Sequence, residues 1–171
     1  MNWAQPEWTR RWPSALVVGL ATLGPIGRIS FAPGTWGTLA GVIFFVVALT
    51  RLPALALLAA GLLLAWLAVG ICGEAERRLG RRDPGCVILD EFAVMPLCFL
   101  GWPDLAARVP SQWIVFALGF ALFRILDIAK PFGIHALQSL PGGWGVVADD
   151  FAAALGTCVL LQIGIRFYAV L

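Results

Sequence analysis

Charge is what this chain has least of. Only 13% of its 171 residues are Asp, Glu, Lys or Arg, against about 25% in an ordinary soluble domain. There is one histidine, His135, so no multi-histidine zinc site can form, and histidine-based phosphate chemistry is disfavoured. The four cysteines, Cys72, Cys86, Cys98 and Cys158, never reach CxxC spacing. That pattern offers neither a disulfide framework nor a structural zinc, and the thiols read as buried and inert. A net charge of +2 is too small to suggest nucleic-acid binding. No Gly-Lys-Ser/Thr follows any glycine stretch, which excludes a Walker loop. Internal repeats and low-complexity tracts are absent. The stretch from Met1 to Pro13 mixes Arg10 and Arg11 with Glu7 and three Trp, and no clear small-residue cleavage site follows, so no signal peptide is expected.

What is there in quantity is apolar. Hydrophobic residues make up 60% of the chain and the mean hydropathy is +0.88. This composition reads as one integral membrane domain over residues 1–171. The strand alternation of a barrel is missing, so the apolar segments are expected to be helices, which satisfy their backbone internally in lipid. The expected fold is all-α, a membrane bundle of about four to five segments. Thr38 to Leu49 is the first. Ala54 to Gly73 is the strongest, about twenty uncharged residues, the length a helix needs to cross. Phe92 to Trp102 is short: it crosses only by starting at Asp90-Glu91 and running on toward Ala107, and otherwise is re-entrant. Trp113 to Phe123 continues as helix to Lys130, where Pro131 stops it. Phe151 to Ile165 is the last. Several Trp flank these runs (Trp36, Trp66, Trp102, Trp113, Trp144), which suits either an interfacial belt or packing.

Lys and Arg set the expected orientation. Arg77, Arg78, Arg81 and Arg82 follow the second span and predict a cytoplasmic end there. Arg10, Arg11 and Arg28 agree, and Arg166 is the one charge mildly against. Threading the remaining spans then places Asp90-Glu91, Asp127 and Asp149-Asp150 on that same face.

Those acids are the chemistry-bearing feature. Ionisable groups at the edge of a bilayer core are costly and read by default as functional. Arg124, Asp127 and Lys130 are spaced three apart, neighbours on a helix face. One reading is a salt-bridge ladder at a helix end. The other is a metal on Asp127 with Arg124 and Lys130 on a phosphate, the Arg as a planar fork and the Lys as a mobile point charge. Asp149-Asp150 and Asp90-Glu91 each precede an apolar helix, where a cap would account for one acid. Two adjacent anions repel, however, and a shared divalent cation with oxygen ligands would remove that repulsion. Ala32-Pro33-Gly34-Thr35-Trp36-Gly37-Thr38 opens the first span. It reads either as ordinary helix-entry chemistry or as a phosphate site at a helix N-terminus, with hydroxyls from Thr35 and Thr38. Gly142-Gly143-Trp144-Gly145 reads as a turn, His135 as structural or interfacial, and Glu74 and Glu76 as a solvated helix end.

Taken together, Leu89-Asp90-Glu91, Phe123-Arg124 through Asp127 to Lys130-Pro131, and Gly142-Gly143-Trp144-Gly145 through to Asp149-Asp150, with the Ala32 to Thr38 motif, resemble the phosphatidylglycerophosphatase A family of bacteria over roughly residues 19–156. The resemblance implies magnesium-dependent removal of the terminal phosphate from phosphatidylglycerophosphate in the cytoplasmic leaflet of the inner membrane. It assigns Asp90, Glu91, Asp127, Asp149 and Asp150 as catalytic and Mg2+-binding, and Thr35, Thr38, Arg124 and Lys130 as phosphate-binding. One departure is visible: the family often has Gly shortly after its Asp-Glu pair, where this chain has Val94 and Met95. Two other classes compete. A small ion-coupled transporter would spread its acids through the bilayer as a relay, and an assembly subunit would use them as interhelical locks indifferent to metal. The partners expected are a phospholipid and the membrane; oligomeric state is not legible.

Overall fold

The computed structural model describes residues 5–170. Among these there is no strand. The helices are α1 (Ser14–Ala21), α2 (Pro33–Phe44), α3 (Ala54–Leu79), α4 (Leu89–Cys98), α5 (Trp102–Ala106), α6 (Gln112–Ala129), α7 (Ile134–Leu137) and α8 (Gly143–Tyr168). α3, α6 and α8 are long and apolar enough to cross a membrane. α2 continues through a π-type turn at Phe45–Leu49, giving a fourth apolar helix over Pro33–Leu49.

Helix ends fall where backbone chemistry puts them. Pro33 occupies the first turn of α2, where its missing N–H costs nothing. Gly80 ends α3 in the left-handed region at φ 63°. Lys130 ends α6 in the same region at φ 43°, because Pro131 behind it disfavours continued helix. α8 starts at Gly143, whose bare Cα lies against the Val69 carbonyl of α3 and leaves no room for a Cβ. The turn expected over Gly142 to Gly145 is confined to Gly142; Gly143 and Gly145 lie in the first turn of α8, where they serve close packing.

The short fourth segment is resolved in an instructive way. α4 has ten residues, about 15 Å, half of a ~30 Å hydrocarbon core. It nevertheless leads to the opposite end of the bundle, because α5 takes over after a break at Gly101, φ 74°. The Leu100 carbonyl freed at the break accepts a hydrogen bond from Gln162 Nε2 at 2.7 Å. Beyond it Asp104 meets Arg166, near the end of α8, at 3.3 Å. In lipid, a broken helix is tolerated only where protein satisfies the freed groups. α4 itself forms the centre of the bundle. It is packed among α2, α3 and α8, with Val94, Met95, Leu97 and Cys98 fully buried. Gly41, Gly61 and Gly119 stand where a Cβ would strike Met95, Leu97 and Phe99. Phe45 and Phe99 stack at 4.7 Å beside Phe116 and Trp102.

One expectation is corrected here. Glu74 and Glu76 are not a solvated helix end; their exposures are 2% and 9%. The N-terminal segment folds back over α3, with Trp8 stacked on Trp66 at 5.5 Å, and covers that stretch. Glu74 accepts hydrogen bonds from Arg77 and Arg78, and Glu76 accepts one from the Asp83 amide. Trp66, in the middle of α3, packs on Trp8 through this stack.

Candidate active site

Four helices present their ends to one cavity of about 260 Å³. The first turn of α4 brings Asp90 and Glu91, the last turns of α6 bring Arg124, Asp127 and Lys130, α8 brings Asp149 and Asp150, and the start of α2 brings Pro33 and Gly34. All five carboxylates expected from the sequence line this cavity. Asp90, Asp149 and Asp150 are buried at 5%, 3% and 4% exposure.

Arg124 and Lys130 stitch the helices together. Arg124 Nη1 lies 2.7 Å from Asp127 Oδ2 and 3.6 Å from Glu91 Oε1, joining α6 to α4. Lys130 Nζ pairs with Asp149 of α8 and stands 4.0 Å from Asp127 Oδ1. The left-handed turn at Lys130 sends its side chain across to α8 instead of along α6. Its ammonium is held in the charged form: burial works against it, but the Asp149 carboxylate wins and raises its pKa. The three-residue ladder is thus real, but it lines the cavity instead of merely ending a helix.

The capping reading fails for one acid pair and half holds for the other. α8 begins at Gly143 with Gly142 at its N-cap, and no acid lies in its first turn. Asp149 and Asp150 sit a turn further on and cannot cap it. Asp90 and Glu91 do lie in the first turn of α4, where the macrodipole favours them. Asp90 Oδ1 accepts the Glu91 N–H of that turn at 3.1 Å, while Glu91 Oε2 is buried without a hydrogen-bond partner.

The two threonines divide. Thr38 is fully buried. Its hydroxyl donates to the Gly34 carbonyl at 2.9 Å and its oxygen lies 3.5 Å from Arg124 Nη1. It stands behind Arg124 and does not line the cavity. Thr35 is half-buried and is also absent from the lining. The glycines of this motif serve the approach of α2 to α4. A Cβ on Gly34 would overlap the Glu91 carboxylate, and one on Gly37 would come within 2.8 Å of the Ile88 carbonyl.

Asp83 is the residue the sequence reading passed over. It lies in the loop between α3 and α4 and lines the cavity, with its backbone in the left-handed region at φ 45°. Crowding by protein, then the charge of Asp149, push its pKa above the usual carboxylate value. Its signal was the Asp83-Pro84-Gly85 turn just ahead of Asp90-Glu91, hidden among arginines.

The cavity holds six carboxylates and two cationic side chains. Asp149 Oδ1 and Glu91 Oε2 are buried there without a hydrogen-bond partner. Surplus buried anions with unused oxygen lone pairs are a donor set suited to a hard divalent cation. The convergence on a single point expected from the sequence is not seen as such. No three His, Cys, Asp or Glu side chains among the described residues form a ready-made ligand cluster; the acids ring a shared space, with Arg124 and Lys130 reaching in among them.

The family model for phosphatidylglycerophosphatase A matches residues 19–165, a stretch that contains every residue of this cavity. The chain belongs to the phosphatidylglycerophosphatase A family. It is similar to phosphatidylglycerophosphatase A of Haemophilus influenzae, 36% identical over 143 residues and 83% of each chain. It is also similar to phosphatidylglycerophosphatase A of Escherichia coli, 33% identical over 142 residues, 82% of this chain and 76% of that one. A Bacteroides thetaiotaomicron protein provisionally named a phosphatidylinositol-3-phosphatase is 36% identical over 155 residues, 88% of this chain and 94% of that one. No solved structure matches. As a family member the chain is a phosphatase, and its helices are those of a membrane protein. Two phosphatase names on relatives of similar identity share one chemistry, a phosphomonoester on a lipid headgroup.

Proposed function

We propose that this protein removes the terminal phosphate of phosphatidylglycerophosphate, with Mg2+, at the cytoplasmic face of a bacterial inner membrane, giving phosphatidylglycerol and phosphate. The observation that carries the reading is the gathering of six acids, Arg124 and Lys130 at one end of the bundle in a chain of this family. A transporter relay would need acids spread along the bundle axis, and these are at one end. Asp90, Glu91, Asp127, Asp149 and Asp150 would hold the cation, which when bound supplies charge neutralisation and lowers the pKa of water. Arg124 and Lys130 neutralise the phosphate oxygens that otherwise repel a nucleophile. The N-terminus of α2 faces the same space and favours an anion there. Hydrolysis forms a new P–O bond from water and breaks the bond to the glycerol oxygen, which leaves with a proton. The surrounding carboxylates are placed to take the proton from water.

Phosphate release from phosphatidylglycerophosphate micelles, with Mg2+, then chelator, then Mg2+ restored, tests the reaction; phosphatidylinositol 3-phosphate in the same assay tests the substrate. Release that ignores the chelator rejects the metal, and release from the inositol lipid alone rejects the substrate. The orientation rests on Arg77, Arg78, Arg81 and Arg82 after the second span. External cysteine labelling at position 80 but not at position 52 in intact cells would reverse it.

A further inference from the structure

The catalytic cavity accounts for a headgroup but not for the rest of a lipid. Beside it, on the outer surface of the bundle, an apolar groove of about 580 Å³ lies between α2 and α6. Leu39, Ile43 and Val47 form its α2 wall, and Trp113, Ala117 and Phe120 its α6 wall. Its volume is in the usual range for a small-molecule site, roughly 300–1,000 Å³. α2 leans on α4 far more than on α6, which leaves this seam open to the surroundings.

The groove is collinear with the active site. On α6, positions 113, 117, 120, 124 and 127 follow helical spacing and share one face. The groove wall therefore continues directly into Arg124 and Asp127. On α2, Thr35 stands one turn before Leu39 on the same face, next to Pro33 and Gly34 of the cavity rim. From Arg124 to Trp113 the seam runs about 16 Å along α6. Thr35, which does not reach the cavity, stands at the junction where polar headgroup must give way to hydrocarbon.

A second apolar groove lies between α3 and α8, lined by Leu62, Trp66, Phe151 and Leu155, but it has no such continuity. α8 itself separates it from the carboxylates, and Leu137 and Leu140 of the α7 region close its end nearest the cavity. A third, between α6 and α8 at Val109, Leu118 and Tyr168, opens toward the other end of the bundle, where Asp104 and Arg166 pair.

From this we infer that the α2–α6 groove is the acyl-chain subsite of the enzyme: one fatty-acyl chain of the lipid substrate lies along Leu39–Val47 and Trp113–Phe120 while its phosphorylated headgroup occupies the cavity. The inference rests on the lipid phosphatase reading above. Bulk bilayer lipid would touch every outer face alike, whereas a substrate chain is held only on the face that leads into the site. Chain preference is then set by Ala117 and Ile43, which fix how wide the seam is partway down.

The test compares long-chain phosphatidylglycerophosphate with its deacylated, tail-free analogue, reading phosphate release from the purified full-length enzyme. Ala117→Phe fills the groove from an exposed position. It should lower the preference for the lipid over the tail-free analogue by about tenfold, the equivalent of losing burial of about two methylenes. Ala152→Phe, in the α3–α8 groove, should leave that preference as in wild type. The reverse pattern, or an equal loss on both substrates with Ala117→Phe, overturns the subsite. A lipid carrying a photoreactive acyl chain supplies the second measurement on the unmodified enzyme. Labelling within residues 39–47 and 113–120 supports the groove, and labelling confined to α3 and α8, or spread evenly over all outer helices, rejects it. Failure of wild-type enzyme to release phosphate from the lipid would instead reject the phosphatase reading, with the labelling result still deciding where a lipid chain binds.

Discussion

Two buried ion clusters lie at the same end of this bundle, and they differ in balance. Around Glu74, two arginines serve one acid: Arg77 and Arg78 donate to its oxygens at 2.6–2.8 Å. The remaining donors of Arg78 reach Ser14 Oγ and the carbonyls of Thr9 and Arg10. None of the buried side-chain atoms of Glu74 or Arg78 lacks a partner. Around Asp127, two cations serve six acids, and buried oxygens of Glu91 and Asp149 go unpartnered. A satisfied cluster holds the N-terminal segment on α3 and has no capacity left over. An unsatisfied one retains unused lone pairs and charge, which is what a cation and a phosphate would take up.

The contrast is sharpest if single acids are neutralised in each. Asp127→Asn and Asp150→Asn are expected to cut turnover on the order of a thousandfold, with thermal unfolding in detergent close to wild type; phosphate release alongside a melting curve checks both halves. Retained activity in either would put the cavity in the same structural class as Glu74. The mirror experiment is Glu74→Gln. It leaves a buried arginine short of its counter-charge and should cost about 2 kcal/mol of stability, read from the melting curve, while turnover per folded molecule stays unchanged. A loss of turnover without a loss of stability would make Glu74 part of the chemistry.

A smaller effect separates the two kinds of cation. Arg124→Lys keeps the charge but loses the planar guanidinium proposed to meet the phosphate, and kcat/KM should fall about tenfold. Steady-state kinetics divide that loss between KM and kcat, and wild-type values would return Arg124 to a plain ion-pair role. The smallest effect is expected at the far end. Asp104 pairs with Arg108 and Arg166 on the exposed surface, where such pairs contribute little. Asp104→Asn should change neither turnover nor melting temperature, and a marked drop in either would show that the α4–α5 break depends on it.

Position along the chain made the fold legible where helices were long. α3, α6 and α8 follow from uninterrupted apolar runs, and the end of α6 follows from Lys130-Pro131. The five acids were legible because each stands beside such a run or on its continuation. What could not be read is tertiary. Glu74 and Glu76 looked solvated because arginines flank them, yet Glu74 lies under an N-terminal segment more than sixty residues away and Glu76 is met by the Asp83 amide. Asp83 was lost in a charged stretch, where its Asp-Pro-Gly turn was masked by the flanking arginines. Thr38 carried the right motif but serves Arg124 from behind, since which face of α2 meets α4 is decided by Gly34 and Gly37 packing on Glu91 and Ile88. The segment from Leu89 to Ala106 was ambiguous because its broken backbone is satisfied by Gln162, a residue of another helix, whose Nε2 donates to the Leu100 carbonyl.

That break bears on how the enzyme is made. A segment with two acids at its head, Pro96 in its middle and a stop at Gly101 is a poor candidate for independent insertion. Acids oppose entry into lipid, and the first turn of α4 carries two of them. α4 therefore depends on the neighbours that enclose it, α3 made before it and α8 made after it. Asp149 and Asp150 come from α8, so the ring of six carboxylates is complete only once α8 has packed against α4.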